Sequence, residues 1–334
     1  MNREIPTVPA DLTAGAMSFR EFLAAEFHAP EERVTGLMPG EGLCVLLGAE
    51  KTGKSLLGFQ LALCLCGGIP FLGFPVTSCN VLLVEEEGSV AALQSRMSVI
   101  ASALGVRHSD LPLLVLHRCR WRLDDPQHIA AISDFISAHD IRVVVLGPLA
   151  QLADVEDENR AMGFNRVARN LADVATITHT LFVLIHHRRK PDARRAKRLS
   201  IKEFFDTSRG TNALTAAMDV GLGLDRDPES QAGELVVLSR DGAPARMSLR
   251  FDPDSLVFSR STQPTQGRKP VHAQRLVDRL REHRTITAVN AADLLAVSLN
   301  TAKARLKDLE VDGVVERQDH EGAATVWVLR GSAT

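Results

Sequence analysis

The sequence predicts an α/β protein: a large core built on a mostly parallel sheet, then a small C-terminal unit of helices and a hairpin. Three observations predict it. Short apolar runs alternate with longer amphipathic ones along most of the chain, the pattern of parallel strands joined by crossover helices. The short runs are rich in Val, Leu and Ile without polar alternation, as strands buried on both faces must be. A glycine-rich segment lies between the first such run and the first helical one.

The elements follow in order. A strand is expected at Leu43–Leu47 and a helix at Lys54–Gly67. The stretch from Leu56 to Phe74 carries no charge and approaches the length of a membrane span. Gly67, Gly68, Pro70 and Gly73 interrupt it, so it reads as a buried helix running into a turn, and no membrane partner is expected. Further strands are expected at Val81–Val84, Leu113–Leu116, Val143–Leu146 and Leu181–Ile185, with helices at Val90–Leu104, Gln127–His139 and Arg160–Thr176. Runs at Leu235–Leu238 and Arg246–Phe251 read as an antiparallel addition. The polar segment RSTQPTQGRKP, residues 260–270, reads as a linker. Beyond it, helices are expected at Val271–His283, Ala288–Leu295 and Leu299–Asp312, with a hairpin of Val314–Arg317 and Thr325–Leu329 around Gly322. Three helices and a hairpin resemble a winged helix-turn-helix. The organisation is thus an N-terminal arm (1–32), a core (33–259), a linker (260–270) and a C-terminal domain (271–334). Ser18–Arg33 reads as an arm packing on a neighbouring subunit or as an ordinary surface helix. Trp121 and Trp327 read as packing residues.

Composition narrows the function classes. Of 334 residues, 45% are hydrophobic and 24% charged, with a formal net charge of -2, so any nucleic-acid contact must come from local basic patches. The five cysteines, Cys44, Cys64, Cys66, Cys79 and Cys119, form no CxxC pair and, like the histidines, no cluster of metal spacing. They read as reduced thiols, and the N-terminus lacks the apolar centre of a secretion signal, so a cytoplasmic location is expected.

The segment GAEKTGKS, residues 48–55, fits GxxxxGK[ST] at every fixed position. Gly48 and Gly53 let the backbone turn N–H groups toward phosphate oxygens, with Ala49, Glu50, Lys51 and Thr52 forming the cradle between them. Lys54 would reach the terminal phosphates, the Ser55 hydroxyl would bind Mg²⁺, and the helix continuing through Leu56 would point its positive end at the anion. A second cluster, Glu85–Glu86–Glu87, follows the second strand. Carboxyl ends of parallel strands form the site in open α/β sheets, so one of these carboxylates is a candidate general base. A solvated strand end is the plainer reading.

The segment GLMPGEGLCVLLGAEKTGKSLLGFQLALCLCGGIPFLGFPV, followed in order by VLLVEEEGS, VVVLGPLAQL, DEN at 157–159, LFVLIHHRRK and SRGTNAL, resembles the RepA-like ATPases. These are RecA-fold relatives of plasmid hexameric helicases, and the resemblance spans roughly residues 33 to 258. It implies a RecA-like core, ATP and Mg²⁺ as cofactors, and a ring, a hexamer by analogy, acting on DNA as a helicase-like or replication protein of a mobile element. By the same resemblance Glu87 falls at the catalytic glutamate and would also touch the metal. His186 and His187 fall at the double-histidine sensor, with His187 favoured. Arg240, then Arg209, are the candidates for an arginine finger. The family's metal-anchoring aspartate is replaced by Gly147, which puts fast hydrolysis in doubt. Glu85 or Glu86 could stand in for the missing charge.

From Arg188 to Arg198 the chain reads RRKPDARRAKR, seven of eleven residues basic. Related rings use this loop on single-stranded DNA, which makes Arg188, Arg189, Lys190, Arg194, Arg195, Lys197 and Arg198 candidate phosphate contacts. A solvated loop is the plainer reading. The third C-terminal helix carries Asn300, Thr301, Lys303, Arg305 and Lys307 on a polar face suited to duplex DNA, opposite Val297, Leu299, Ala302, Leu306 and Leu309. That domain is also suited to dock a replication or recombination partner. Two function classes stand: an ATP-driven DNA motor, and a low-turnover nucleotide-gated regulator or adaptor.

Overall fold

A computed structural model describes residues 16–26, 31–106, 111–152, 160–188, 199–208, 213–261, 271–311, 314–318 and 325–330. Its core is one nine-stranded sheet. The strands are β1 (Gly42–Gly48), β2 (Asn80–Glu85), β3 (Leu113–His117), β4 (Ile141–Gly147), β5 (Leu181–His187), β6 (Val220–Arg226), β7 (Ala232–Ser239), β8 (Ala245–Asp252) and β9 (Val257–Arg260). They lie in the order β3-β2-β4-β5-β1-β6-β7-β8-β9. The first six are parallel and the last three antiparallel. The mostly parallel α/β sheet expected from the alternating runs is therefore present.

Helices cover both faces, which is why the strands show no polar alternation. The helices of the core are α1 (Phe19–Ala24), α2 (Lys54–Gly67), α3 (Val90–Ala103), α4 (Pro126–Ala138), α5 (Arg160–Thr178), α6 (Ile201–Asp206) and α7 (Ala213–Ala217). Val81, Leu83, Val143, Val145 and Ile185 pack on one face with Leu57, Leu61 and Ile100 of α2 and α3. Leu82, Val84, Val144 and Leu146 pack on the other with Ile132, Ile136, Val167 and Leu171 of α4 and α5. Helix α2 is buried along most of its length and ends at Gly68, whose φ is +63°. The uncharged stretch 56–74 is thus a core helix and its turn. Among the described residues no helix is long and apolar enough to cross a membrane. The five cysteines are free thiols.

The sequence does not announce β6 or β9. In β6 the glycines disguise a strand, and they are there because α6 crosses close by. A Cβ at 221 would lie 2.5 Å from the ring of Phe205, and one at 223 would collide with the ring of Phe204. Strand β9 is short and ends at the expected linker. Its Phe258 is 1% exposed, and its backbone is held by a side chain of α2. Gln60 Nε2 donates to Phe258 O at 2.8 Å, and Phe258 N donates to Gln60 Oε1 at 2.8 Å. The antiparallel extension is thereby tied to the first helix of the core.

The C-terminal elements are α8 (Val271–His283), β10 (Thr285–Thr287), α9 (Ala288–Leu295), α10 (Leu299–Val311), β11 (Val315–Gln318) and β12 (Val326–Leu329). The three helices match the expected spans closely. The hairpin strands gain a third partner, β10, giving the order β10-β12-β11. Gly322 lies outside the described residues. Leu276, Leu280, Ile286, Ala291, Leu306 and Trp327 form a core of this unit. Leu299, expected on the buried face of α10, is 41% exposed because it opens the helix, one residue after Ser298.

The Gln60 contact makes a stability prediction. Gln60→Leu should keep the packing and orphan the N–H and C=O of Phe258, at about 1–3 kcal/mol for each buried group left unpaired. A lowered urea midpoint at unchanged m-value is the expected result, read by far-UV circular dichroism.

Candidate nucleotide site

The glycine-rich loop leaves β1 at Gly48 and closes at Gly53, the residue capping α2. Both glycines are needed for stated reasons. Gly53 has φ of +97°, and a Cβ there would lie 2.8 Å from the Phe258 ring; at Gly48 a Cβ would lie 2.7 Å from Leu224 O. Thr52 is buried and its hydroxyl donates to Ala49 O at 2.9 Å. Glu50 and Lys51 lie on the exposed side of the loop, while Ser55 and Leu56 are half-buried. Lys54 is 5% exposed, and its Nζ donates to Ala49 O at 2.7 Å. The same Nζ lies 3.2 Å from His187 Nδ1. An ammonium can only donate, so Nδ1 is the acceptor and the imidazole proton sits on Nε2.

Strand pairing explains that meeting. β5 lies beside β1 with Leu47 level with His186 and Gly48 level with His187. The two histidines expected as a sensor pair therefore split by the alternation of the strand. His187 reaches the lysine, while His186 is 2% exposed and packs edge-on against Phe164 at 5.6 Å.

An arginine that no sequence motif marks braces the loop from the other side. Arg226 ends β6 and is 6% exposed. Its Nε donates to Thr52 O at 2.9 Å, and one terminal nitrogen donates to Ser230 O at 2.6 Å. Its guanidinium lies 4.5 Å over the Phe251 ring, and burial pulls its pKa below the ordinary value. The one available signal is an arginine closing a glycine-spaced apolar run, VGLGLDR, whose strand character the glycines hide.

The acidic cluster divides into three environments. Glu85 is 3% exposed and accepts from the backbone N–H of Glu87 at 3.0 Å. Burial pushes its carboxyl up to about 7; that backbone hydrogen bond opposes the rise, and the charge of Glu87 adds to it. Glu86 Oε1 accepts from Cys119 Sγ at 3.0 Å and from Arg120 N at 3.1 Å. Glu87, the expected base, is exposed at the strand tip.

Gly147 is level with Glu85 across β2 and β4. A Cβ at 147 would lie 2.9 Å from Ile185 Cδ1 and 3.2 Å from its Cβ; one at Gly58 would lie 3.1 Å from the same Cδ1. Ile185 thus fills the room between Gly58 on α2 and Gly147 on β4. At the position where the resemblance expects an aspartate the space is filled by packing, and the buried carboxyl nearest in register stands one strand over. Among the described residues no group of three or more His, Cys, Asp or Glu is arranged to hold a metal ion. A Mg²⁺ carried on nucleotide phosphates, with Ser55 as protein ligand, fits this donor set.

The expected arginines separate. Arg188, expected among the DNA contacts, is 4% exposed, because its guanidinium pairs with Asp225 at 3.3 Å and lies 4.6 Å over the Phe204 ring. Its backbone N–H donates to Gly48 O at 3.1 Å. That placement removes it from the candidate DNA contacts and makes it a brace at the exit of β5. Arg189, Lys190, Arg194, Arg195, Lys197, Arg198 and Arg209 lie outside the described residues, as does DEN 157–159. Arg240 follows β7 and pairs with Asp219 at 3.2 Å. Asp219 accepts from Leu43 N at 2.9 Å, so Arg240 stands at the amino-terminal edge of the parallel strands, across the sheet from its own loop. On α10, Asn300, Thr301, Lys303 and Lys307 are exposed and Arg305 is half-buried.

A glycine cradle at the carboxyl end of a central parallel strand, followed by a helix whose first residue is the buried lysine, defines a P-loop ATPase domain. The chain belongs to the AAA domain family, whose profile matches residues 9–193. ATPases of this fold generally bind ATP with Mg²⁺. Among solved structures, the crystal structure of the RadB recombinase is similar at 16% identity, covering 74% of this chain and 98% of that one, with a TM-score of 0.45. No curated protein matches the chain.

The Glu85 environment predicts a pH effect. A carboxyl raised from 4.5 to about 7 in the fold binds its proton more tightly folded than unfolded. Its contribution to stability is then full below the ordinary value and lost as pH rises toward about 7, a change of about 3 kcal/mol. Urea melts between pH 5 and pH 8 should show that decline in the parent and a flattened slope in Glu85→Gln.

Proposed function

We propose that this chain is an ATP-dependent DNA-binding ATPase of the RepA-like type, working as a ring with nucleotide at subunit interfaces. The observation that carries the reading is the 3.2 Å contact between Lys54 Nζ and His187 Nδ1. It joins the phosphate cradle to the end of β5, from which the chain runs into the cationic segment ending at Arg198. A triphosphate entering the cradle draws Lys54 from Ala49 O and His187 toward phosphate oxygens. His187 follows or is released, and the exit of β5 responds. Bound Mg²⁺ supplies charge neutralisation at the phosphates. Glu87, exposed after β2 on the same edge of the sheet as the cradle, orients the attacking water. Arg240, standing far from its own loop, is suited to a neighbouring subunit's nucleotide. The C-terminal unit is read as a winged helix that presents α10 to duplex DNA or docks a replication or recombination partner.

A second reading has its own observation. Ile185 occupies the space in which a metal-anchoring aspartate would stand, which favours a low-turnover nucleotide-gated regulator. ATP would then control assembly and DNA binding without unwinding.

Steady-state hydrolysis with Mg²⁺, with and without single-stranded DNA, separates the two. The motor reading expects turnover that rises with DNA, and a loss of about 10²–10⁴-fold in Glu87→Gln at unchanged nucleotide affinity. Unchanged turnover in that variant rejects Glu87 as base. Tight binding with no turnover in the parent selects the regulator. A second measurement tests the cationic segment. Neutralising Arg194, Arg195, Lys197 and Arg198 together should weaken single-strand binding. It should also flatten the salt dependence by about 0.7 for each phosphate no longer neutralised. Affinity and slope equal to the parent's would return the segment to a solvated loop.

A further inference from the structure

An open cleft of about 450 Å³ lies at the carboxyl ends of the strands, lined by Glu86, Arg118, Arg120, Trp121, Arg122 and Gln151. Its wall is the loop RCRWR that follows β3. In the sheet order β3-β2-β4-β5-β1, four strand spacings separate β3 from the strand that carries the phosphate loop. At about 4.8 Å each that is about 19 Å. The outer wall of the cleft on β3 therefore stands apart from the phosphate loop, while Glu86 and Gln151 bring its inner side to the tips of β2 and β4 on the same edge of the sheet.

The loop is built in a costly way. Arg118 has φ of +52° and Arg120 of +54°, a left-handed conformation that non-glycine residues rarely adopt. The acidic strand tip holds them there. Arg118 N donates to Glu85 O at 3.0 Å, and Arg120 N donates to Glu86 Oε1 at 3.1 Å. Glu86 also takes the Cys119 thiol, so its carboxylate is committed to shaping the loop. Backbone strain maintained by dedicated contacts points to a use for the side chains it aims. Arg118 and Arg120 are exposed, and among the described residues no ion pair engages either. Arg122 pairs with Asp124 at 3.2 Å. Trp121 between them is half-buried, its body packed against the apolar layer beneath.

We propose that this cleft is a second phosphate-and-base site, which takes a nucleotide unit of a single-stranded nucleic acid with its phosphate on Arg118 and Arg120 and its base stacked on Trp121. Guanidinium groups grip phosphate oxygens in a fixed fork, and an anchored indole offers a stacking face to any base. A volume of about 450 Å³ falls within the range of small-ligand sites. The site rests on neither the phosphate loop nor the segment 189–198. It extends the DNA-binding face across the sheet edge, and its holding contacts come from Glu85 and Glu86. The cleft is thereby tied to the same strand tip that carries Glu87.

The chain has two tryptophans, so Trp327→Phe in the full-length protein leaves Trp121 as the sole indole reporter. Titration with a short oligothymidylate should quench its emission. Arg118→Ala/Arg120→Ala should weaken binding at least tenfold and lower the salt slope by about 1.4, two phosphate contacts at about 0.7 each. Trp121→Ala should weaken it about 5- to 100-fold at unchanged slope, with Trp121→Phe recovering part of the loss. Anisotropy of a labelled oligothymidylate on protein with Trp327 intact gives the same readings should Trp327→Phe fail to fold. Thymidine monophosphate distinguishes the sources. Competition at similar concentration identifies a free nucleotide as ligand, and weak competition identifies the strand. The quench should persist when Arg194, Arg195, Lys197 and Arg198 are neutralised, so failure of the loop assignment stays separate. Parent-like affinity and slope in the double arginine variant, or no quench by either ligand, overturns the proposal.

Discussion

The upper edge of the sheet depends on one buried cation. Lys54 is 5% exposed, and its ammonium rests on the Ala49 carbonyl and the His187 imidazole. Both of these acceptors are neutral, and an ammonium gains more from a charged acceptor than from a neutral oxygen or nitrogen. A phosphate oxygen would compensate it better, so the lysine is held in a position that an anion improves. The helix behind it adds its positive end at the same place. Because the imidazole is one of the lysine's partners, an anion at the cradle must change what His187 touches. The site is therefore coupled to β5 by hydrogen-bond exchange before any larger motion.

That arrangement needs a loop that does not collapse, and the antiparallel extension supplies the bracing. Arg226 holds Thr52 O from the end of β6. Phe258 on β9 stands against Gly53, and Gln60 fastens the backbone of Phe258 to α2. Strands β6 to β9 are thus the back wall of the phosphate cradle. Since β9 ends at Arg260, where the expected linker begins, a change at the cradle has a short covalent path toward the C-terminal unit. Arg188 plays a matching part at β5, with its backbone on Gly48 and its side chain on Asp225 and Phe204.

How much of this is legible in the sequence follows from which forces leave a local trace. The parallel strands are readable because burial on both faces demands unbroken apolar runs. The cradle is readable because phosphate binding fixes residue types at fixed spacing. Arg188 misleads because seven basic residues in eleven look like one solvated run, whereas the first of them is captured by Asp225, distant in sequence. Arg226 escapes notice for the opposite reason. A single arginine carries no local signal, and its function arises only when β6 is laid beside β1. Gly221 and Gly223 hide that strand by obeying a packing demand from Phe204 and Phe205 that sequence proximity does not show. Reading Trp121 as simple packing accounts for its underside and not for the arginines flanking it.

The replacement at 147 is the place where packing and chemistry meet most directly. A side chain at 147 has no room as the structure stands, because Ile185 fills the space and also lies close against Gly58. Restoring an acid would require the isoleucine to leave, which opens a gap against α2, so the two positions are coupled and a single change at either is disfavoured. The carboxyl nearest in register to Gly147 lies on β2, where Glu85 is buried and readily protonated. A carboxyl raised to about 7 is partly protonated near neutrality, and a cation bound beside it would favour the charged form and release a proton. The backbone carbonyl of Glu85 and the carboxylate of Glu86 are what hold Arg118 and Arg120 in their strained conformation. The same three-residue tip thus carries the expected base, the buried carboxyl level with Gly147 and the contacts that shape the arginine loop beyond.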